Sequence, residues 1–173
     1  DLQKIMLLVG PTRSGKGTIA RVLAQLVGNV AGPTLLSLGG DFGLASLLDK
    51  PLAIISDARL GKGHHVHVVV ERLLSISGED ILDVNRKYRE PWTGKMGTRL
   101  MILSNELPQL GDESGAIAGR LVVLSMTESF LGREDALLYR DLQAELPGIL
   151  EWALAGLDRL IEQGRFTEPA ASQ

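Results

Sequence analysis

Four short apolar runs divide the chain, and each one ends at a glycine or a polar residue. They lie at residues 5–9, 52–55, 100–103 and 121–124. An uninterrupted apolar run of four or five residues is typical of a strand that is buried on both faces. The pattern therefore predicts four strands of a parallel sheet.

Between and after these runs, apolar residues recur every three or four positions, which predicts helices. Three such stripes are Ile19, Val22, Leu23, Leu26 and Val27; Val66, Val69, Val70, Leu73 and Leu74; and Leu150, Ala153, Leu154, Leu157 and Ile161. Gly28 is placed to end the first helix and Pro147 to begin the last. Trp152, among apolar neighbours of the last helix, is expected in the core.

Apolar strands that alternate with helices indicate an α/β fold, in which helices cover both faces of a central parallel sheet. The expectation is a three-layer sandwich in one domain at residues 1–164, followed by a flexible tail at 165–173. In such sheets, ligands bind at the carboxyl ends of the strands. Residues that directly follow the apolar runs are therefore the first candidates for a site.

A glycine-rich loop joins the first strand to the first helix and has the pattern of a phosphate-binding P-loop. Its residues are Gly10, Pro11, Thr12, Arg13, Ser14, Gly15, Lys16, Gly17 and Thr18. Backbone N–H groups of such a loop bind anions at a helix N-terminus, and Lys16 would reach the phosphates of ATP. Gly17 follows the lysine, so Thr18 is the candidate hydroxyl for Mg²⁺.

Two polar residues follow other predicted strands at the same rim of the sheet. Asp57 is the candidate acid for Mg²⁺, although an ordinary turn aspartate fits the same position. Asn105 is a candidate to hold the attacking water, although a turn asparagine fits as well. No second carboxylate adjoins Asp57, so the base that activates water stays open among Asp57 and the carboxylates of Asp41, Glu71 and Glu79.

Composition narrows the possible partners. The net charge is -3, so only a local basic cluster could bind nucleic acid. The chain has no cysteine, which excludes disulfides and thiolate metal sites. No apolar run approaches the roughly 20 residues that cross a bilayer. These features predict a cytoplasmic protein without a membrane partner.

One dense basic cluster stands on this acidic chain. It consists of Arg86, Lys87, Tyr88 and Arg89, with Trp92 and Lys95 following. Cations neutralise phosphates and aromatic rings can stack on bases, so the cluster is a candidate site for single-stranded DNA. A solvated polar turn is the alternative interpretation.

The ordered set of motifs resembles the superfamily 3 helicase domain of phage and plasmid primase-helicases. The resemblance rests on the P-loop, on Ile54-Ile-Ser-Asp57-Ala-Arg59, on Ser77-Gly-Glu-Asp80 with Arg86-Lys-Tyr88, on Leu103-Ser-Asn105-Glu-Leu-Pro108 and on Gly115-Ala-Ile-Ala-Gly-Arg120. It runs from about residue 5 to about residue 160. It implies an AAA+-like P-loop NTPase, encoded by a phage or prophage and forming part of a longer primase-helicase.

The same resemblance implies a ring, usually a hexamer, that hydrolyses ATP between subunits and moves on single-stranded DNA. Arg120 matches the arginine finger that reaches a neighbour's γ-phosphate, and residues 80–92 match a region that includes a hairpin facing the channel of the ring. From the residues alone, Arg120 fits a surface arginine equally well.

Two other functions remain open at this point. The loop also looks like that of the nucleoside-monophosphate kinases, which share the glycine after the lysine, although no arginine-rich lid stands between Asn105 and Arg120. The missing carboxylate beside Asp57 would also suit a domain that binds ATP and DNA as a scaffold or loader but hydrolyses ATP poorly.

Overall fold

The computed structural model describes residues 2–58, 65–108, 110–111, 115–167 and 169. In these ranges the strands are β1 (Ile5–Val9), β2 (Val30–Ala31), β3 (Leu52–Ile55), β4 (Ile81–Arg86), β5 (Arg89–Lys95), β6 (Arg99–Ser104) and β7 (Leu121–Ser125). The α-helices are α1 (Lys16–Val27), α2 (Leu35–Leu38), α3 (His65–Gly78), α4 (Leu138–Ala144) and α5 (Leu146–Gln163). Short 3₁₀ turns lie at Gly43–Leu47 and Ala118–Arg120.

Five strands form one parallel sheet in the order β2-β3-β6-β1-β7. The four strands predicted from the apolar runs are all present, and the two-residue β2 at the edge adds a fifth. The remaining strands, β4 and β5, pair in an antiparallel hairpin outside this sheet. The predicted α/β class with a central parallel sheet is confirmed.

Apolar side chains of the sheet alternate between two cores, as the pleat of a strand requires. Ile55, Leu100 and Ile102 belong to the larger core, which α2, α3 and the base of the hairpin complete. Ile54 and Met101 belong to a smaller core on the opposite face, where Ala20 of α1 covers them. Helices on both faces of the sheet make the predicted three layers.

Helix α5 forms where its periodicity predicts it, but its apolar side chains are exposed. Trp152 is 73% exposed, so the prediction that it lies in the core is wrong. Leu150, Leu154, Leu157 and Ile161 are also exposed. The stripe marked a helix correctly, but a stripe by itself does not state whether another element covers it.

The end of α5 coincides with the predicted end of the domain. Gly164 caps the helix in the left-handed conformation, with a φ of 65°. Glycine takes this conformation without the steric cost that other residues bear, which explains why the helix ends there. Of the predicted tail at 165–173, residues 168 and 170–173 lie outside the described residues, and its flexibility stays a prediction.

Candidate nucleotide site

Lys16 lies inside the loop between β1 and α1, where it is only 9% exposed. Its ammonium group donates to the carbonyl oxygens of Gly10, at 2.6 Å, and Pro11, at 2.8 Å. It also donates to the hydroxyl of Ser14, at 3.2 Å. Three acceptors match the three donors of an ammonium group. Burial lowers the pKa of Lys16 below its usual value, because desolvation disfavours the charged form.

The loop is fixed from the side of β7. The amide of Met126 donates to the carbonyl of Val9 at 2.7 Å and continues the β1–β7 ladder. A Cβ atom on Gly10 would lie 2.4 Å from the carbonyl oxygen of Met126, which no real Cβ tolerates. Glycine at position 10 is therefore required by this close approach of two backbones.

Beyond Met126 the chain continues along the outer side of the loop. The hydroxyl of Ser129 donates to the carbonyl of Thr12 at 2.8 Å, and the amide of Phe130 donates to the carbonyl of Arg13 at 3.0 Å. Arg13 also forms an ion pair with Glu134, with 3.4 Å between Nε and Oε1. These contacts hold Arg13 in the left-handed conformation, with a φ of 60°.

The carboxyl ends of β3 and β6 bring the other predicted residues to the same edge. Ile55 is paired with Ile102, and Ser104 with Val9, so Asp57 and Asn105 extend to the level of the loop. Asn105 lines the pocket above this edge together with Ser56. Asp57 is exposed beside this pocket and is not among the residues that line it.

Thr18, the predicted hydroxyl for Mg²⁺, lies in the first turn of α1 and lines the pocket. Arg21, one turn further, donates to this hydroxyl at 3.5 Å. The guanidinium of Arg21 also lies 4.5 Å from the centroid of the Tyr139 ring on α4. Arg21 therefore connects the start of α1 to α4.

The pocket has a volume of about 1050 Å³ and combines the P-loop with residues that the sequence did not predict. Seven predicted loop residues line it, from Thr12 to Thr18. Gly10 and Pro11 do not line it, and their carbonyl oxygens accept hydrogen bonds from Lys16. Ile54, Ser56 and Leu103 also line it and belong to the motifs quoted for the resemblance. The lining residues outside those motifs are Ala20, Arg21, Ala24, Phe130, Arg133, Glu134, Asp135 and Leu138.

None of the three carboxylates considered for water activation besides Asp57 lines this pocket. Asp41 and Glu71 are exposed elsewhere, and Glu79 pairs with Arg99 at 3.0 Å, at the amino end of β6. The carboxylates that line the pocket are Glu134 and Asp135.

Arg120 lies at the amino ends of the sheet strands, whereas Lys16 lies at their carboxyl ends. It directly precedes β7, and its guanidinium donates to the hydroxyl of Ser77 near the end of α3, at 3.3 Å. The five residues of β7 separate it from the carboxyl edge by about 16 Å, at the usual rise of a strand. Arg120 thus cannot reach the pocket of its own chain.

The basic cluster forms the far end of the β4–β5 hairpin, as the resemblance implied. Leu82 and Val84 anchor the hairpin in the larger core, and Trp92 packs against the same core. Trp92 is therefore partly buried, and Tyr88 is the aromatic side chain that this turn exposes completely. Arg86 donates through Nε and Nη2 to the carbonyl of Glu90, at 2.9 and 2.7 Å.

A family model matches residues 8–120, which is about two thirds of the chain. Its description is a family of unknown function, DUF5906. The chain belongs to the DUF5906 family. The matched residues include almost all of the P-loop site, Asp57, Asn105, the hairpin and Arg120. The match ends before the segment at residues 130–138 that forms one wall of the pocket, with Phe130, Arg133, Glu134, Asp135 and Leu138.

Among solved structures, this DUF5906 chain is similar to the NrS-1 C-terminal region, with a TM-score of 0.67 and 18% identity over 85% of the chain. It is also similar to JCV helicase, with a TM-score of 0.56 and 20% identity over 81% of the chain. A complex of JCV helicase with a phenoxyphenyl acetamide gives a TM-score of 0.60 at 19% identity over 84% of the chain. At such identities the similarity establishes the fold.

The chain spans only part of those proteins, covering 36% of the NrS-1 region and 41% of JCV helicase. Within this shared part, the DUF5906 chain shares the α/β fold of the NrS-1 region and JCV helicase, with its central five-stranded parallel sheet, which is the fold that the resemblance implied. None of the helices in the described ranges is both long enough and apolar enough to span a bilayer.

Proposed function

We propose that this chain is the ATP-hydrolysing motor of a DNA helicase or translocase of the phage primase-helicase type. The observation that carries the proposal is the pocket that Lys16 and Asn105 share at the carboxyl edge of the sheet. A buried cation within a glycine-rich loop suits a polyanion, and a polar amide beside it suits the water that attacks the terminal phosphate.

The loop amides, Lys16 and Asn105 have separate roles in this proposal. The loop amides and Lys16 bind the β- and γ-phosphates, and Lys16 exchanges one or more of its three loop acceptors for phosphate oxygens. Asn105 orients the attacking water by hydrogen bonds. Hydrolysis then transfers the γ-phosphoryl group of ATP to water, with ADP as the leaving group, and the electrostatic field of the loop stabilises the charge that develops.

The oxygen ligands near the loop fit Mg²⁺, because this ion is held by one or two protein oxygens together with phosphates. Thr18 would supply a hydroxyl and Asp57 a carboxylate, each at the edge where the phosphates lie. Bound there, the ion would neutralise charge on the phosphates. Thr18 already accepts a hydrogen bond from Arg21, which fixes the position of this side chain relative to α4.

The position of Arg120 supports shared sites between subunits. It lies at the edge of the sheet that is opposite to the pocket, so it suits the γ-phosphate of a neighbouring subunit and not that of its own chain. A ring, hexameric as the resemblance implies, brings one subunit's amino edge to the next subunit's pocket by a heterologous contact. A guanidinium at that point stabilises the transition state.

The hairpin supports single-stranded DNA as the second ligand. Lys87 and Arg89 are exposed at its turn, Tyr88 is exposed between them, and the base of the hairpin is anchored in the core. A rigid base with an exposed, charged turn suits contact with a phosphate backbone.

The first test is Lys16→Ala, assayed for ATP hydrolysis with and without single-stranded DNA. We expect a loss of at least about 100-fold, because the transition state loses its main protein cation. Lys50→Ala, at the amino end of β3, is the matched control and should keep full activity. Nucleotide binding by the parent chain without any turnover would instead favour a scaffold, and phosphorylation of AMP without stimulation by DNA would favour a kinase.

The second test mixes two inactive variants, Lys16→Ala and Arg120→Ala. If each site draws Lys16 and Arg120 from different subunits, roughly one interface in four regains both residues in an equal mixture, since neighbours are drawn at random. ATP hydrolysis should return on mixing. The mass of the assembly, measured with ATP and DNA, should show that the mixture forms rings. No recovery in a mixture that forms rings would refute sharing.

A further inference from the structure

The pocket has a second wall at residues 130–138, which lies beyond the quoted motifs and beyond the family match at residues 8–120. We infer that this wall, with Phe130 and Leu138 as its apolar surfaces, holds the base and ribose of the nucleoside triphosphate. The inference rests on the proposed function, since it assigns the other half of the same ligand. It makes these residues the ones that distinguish a nucleotide from a bare polyphosphate.

The order of strands sets the direction of the ligand. Asn105 and Asp57 follow β6 and β3, which lie on one side of β1. The terminal phosphate must lie on that side, because the proposed water and metal ligands are there. The phosphates then cross the end of β1, over Lys16, and the remaining half of the molecule extends toward β7.

The segment after β7 occupies that position. Met126 continues the β1–β7 ladder, and Ser129 and Phe130 bond to the carbonyls of Thr12 and Arg13. The wall therefore runs beside the loop on the side away from Asn105. The pocket volume of about 1050 Å³ is sufficient for a whole nucleotide, since pockets for small ligands span roughly 300–1,000 Å³.

The chemistry of the wall suits a nucleoside better than phosphates. Phe130 is 47% exposed and Leu138 is 43% exposed, and both line the pocket. A planar base would bury these apolar surfaces and stack on the ring of Phe130. Glu134 is already paired with Arg13, and the guanidinium of Arg133 on the same wall lies 5.7 Å from the centroid of the Phe130 ring. The carboxylate oxygens of Glu134 and Asp135 can accept hydrogen bonds from sugar hydroxyls or base amino groups.

The wall is also held in place independently of the side chains of Phe130 and Leu138. Phe130 is bonded to the loop through its backbone amide, so a change of its side chain leaves that contact intact. The carboxylate of Asp135 accepts from the amide of Leu137 at 2.8 Å, just before α4 begins. Truncating Phe130 or Leu138 should thus remove ligand contacts without removing the fold.

The experiment compares two probes, ATP and inorganic tripolyphosphate, by calorimetric titration in the presence of Mg²⁺. Phe130→Ala should weaken ATP binding roughly tenfold, as base–aromatic contacts do, and leave tripolyphosphate binding within about twofold. Leu138→Ala should act in the same direction with a smaller effect. Phe130→Trp should restore ATP binding, because it restores an aromatic surface.

Two matched controls lie outside the pocket. Phe166→Ala removes another half-exposed phenylalanine, and Leu131→Ala removes the exposed neighbour of Phe130. Both should bind ATP like the parent chain, and thermal unfolding should confirm that all variants are folded. Unchanged ATP binding in Phe130→Ala would overturn the inference. An equal loss for both probes would also overturn it, since Phe130 would then act only through the phosphate loop.

The design separates this inference from the proposed function. Lys16→Ala should weaken the binding of both probes, because it changes the phosphate half of the site. If Lys16→Ala leaves both affinities unchanged, the phosphate site is wrong, and the selectivity of Phe130→Ala still decides whether a nucleoside lies against this wall.

Discussion

The phosphate loop and the hairpin turn share one uncommon backbone feature, but the surroundings of that feature differ. Each holds a non-glycine residue in the left-handed conformation, Arg13 at a φ of 60° and Tyr88 at a φ of 59°. Such a residue costs on the order of 1 kcal/mol or more. Around Arg13, contacts to Phe130 and Glu134 offset this cost. Tyr88 is instead fully exposed.

The difference concerns where the polar groups point. In the loop, Lys16 donates inward to three acceptors of its own loop and is almost fully buried. At the hairpin turn, Lys87 and Arg89 are exposed, with the ammonium of Lys87 5.5 Å from the centroid of the Phe42 ring, and Arg86 is bonded to the backbone of its own hairpin. The loop is organised before a ligand arrives, whereas the hairpin presents charges that a flexible ligand can meet. Changes in the loop should therefore act on stability and chemistry together, and changes of the exposed cations Lys87 and Arg89 on DNA binding alone.

The largest effect should come from Gly10→Ala. Its Cβ would collide with the backbone of Met126, so we expect a loss of about 3 kcal/mol in the free energy of unfolding and a fall in Tm of roughly 6–12 °C. Nucleotide binding should fall with it. Gly17→Ala is the matched control in the same loop, because nothing lies within 4 Å of its new Cβ. A Tm for Gly10→Ala equal to that of Gly17→Ala would contradict the rigid loop.

A smaller effect should separate the cations of the hairpin. Arg89→Ala and Lys87→Ala should each weaken single-stranded DNA binding and flatten the salt dependence of log K by about 0.7, the loss of one phosphate contact. Arg86→Ala should change this slope less and lower the Tm more, because its guanidinium bonds to Glu90. The control is Arg140→Ala, which removes an arginine of α4. Nucleotide binding should be unchanged in all four, measured by titration.

The smallest effect should come from Tyr88→Ala. Stacking on a base contributes about 1–3 kcal/mol, and the lower value, which suits a fully exposed ring, corresponds to a roughly fivefold loss of affinity for single-stranded DNA at every salt concentration. The slope of log K against log salt should remain that of the parent, since no charge is removed. Tyr88→Phe should bind like the parent. A changed slope in Tyr88→Ala would mean that the turn has been displaced and that the ring is not a direct contact.

The sequence was sufficient for the central sheet because β1, β3, β6 and β7 all read as apolar runs, although β7, at the edge of the sheet, is only partly buried. It was insufficient for β2, since two residues, Val30 and Ala31, carry no period. It predicted α5 but not the exposure of Trp152, because a helical stripe is the same whether or not a partner covers it.

The two halves of the pocket, the P-loop and the wall at residues 130–138, also differ in how far the sequence predicts them. The P-loop is continuous in the chain and has a local motif, so its residues were predicted from spacing alone. Phe130 and Leu138 join the pocket only because β7 pairs beside β1, which brings Ser129 to Thr12 across 117 residues. No short pattern encodes that contact. Arg120 was predicted from the resemblance, and its distance from the pocket required the sheet order.

The close approach of Gly10 to Met126 also limits how this loop can evolve. The atoms that a Cβ at position 10 would meet are the carbonyl group and the Cβ of Met126, and nearly every amino acid carries these atoms. A second substitution at position 126 therefore cannot compensate for a change at position 10. Among related chains, position 126 should vary among side chains that can contact Ser14, whereas position 10 should always be glycine.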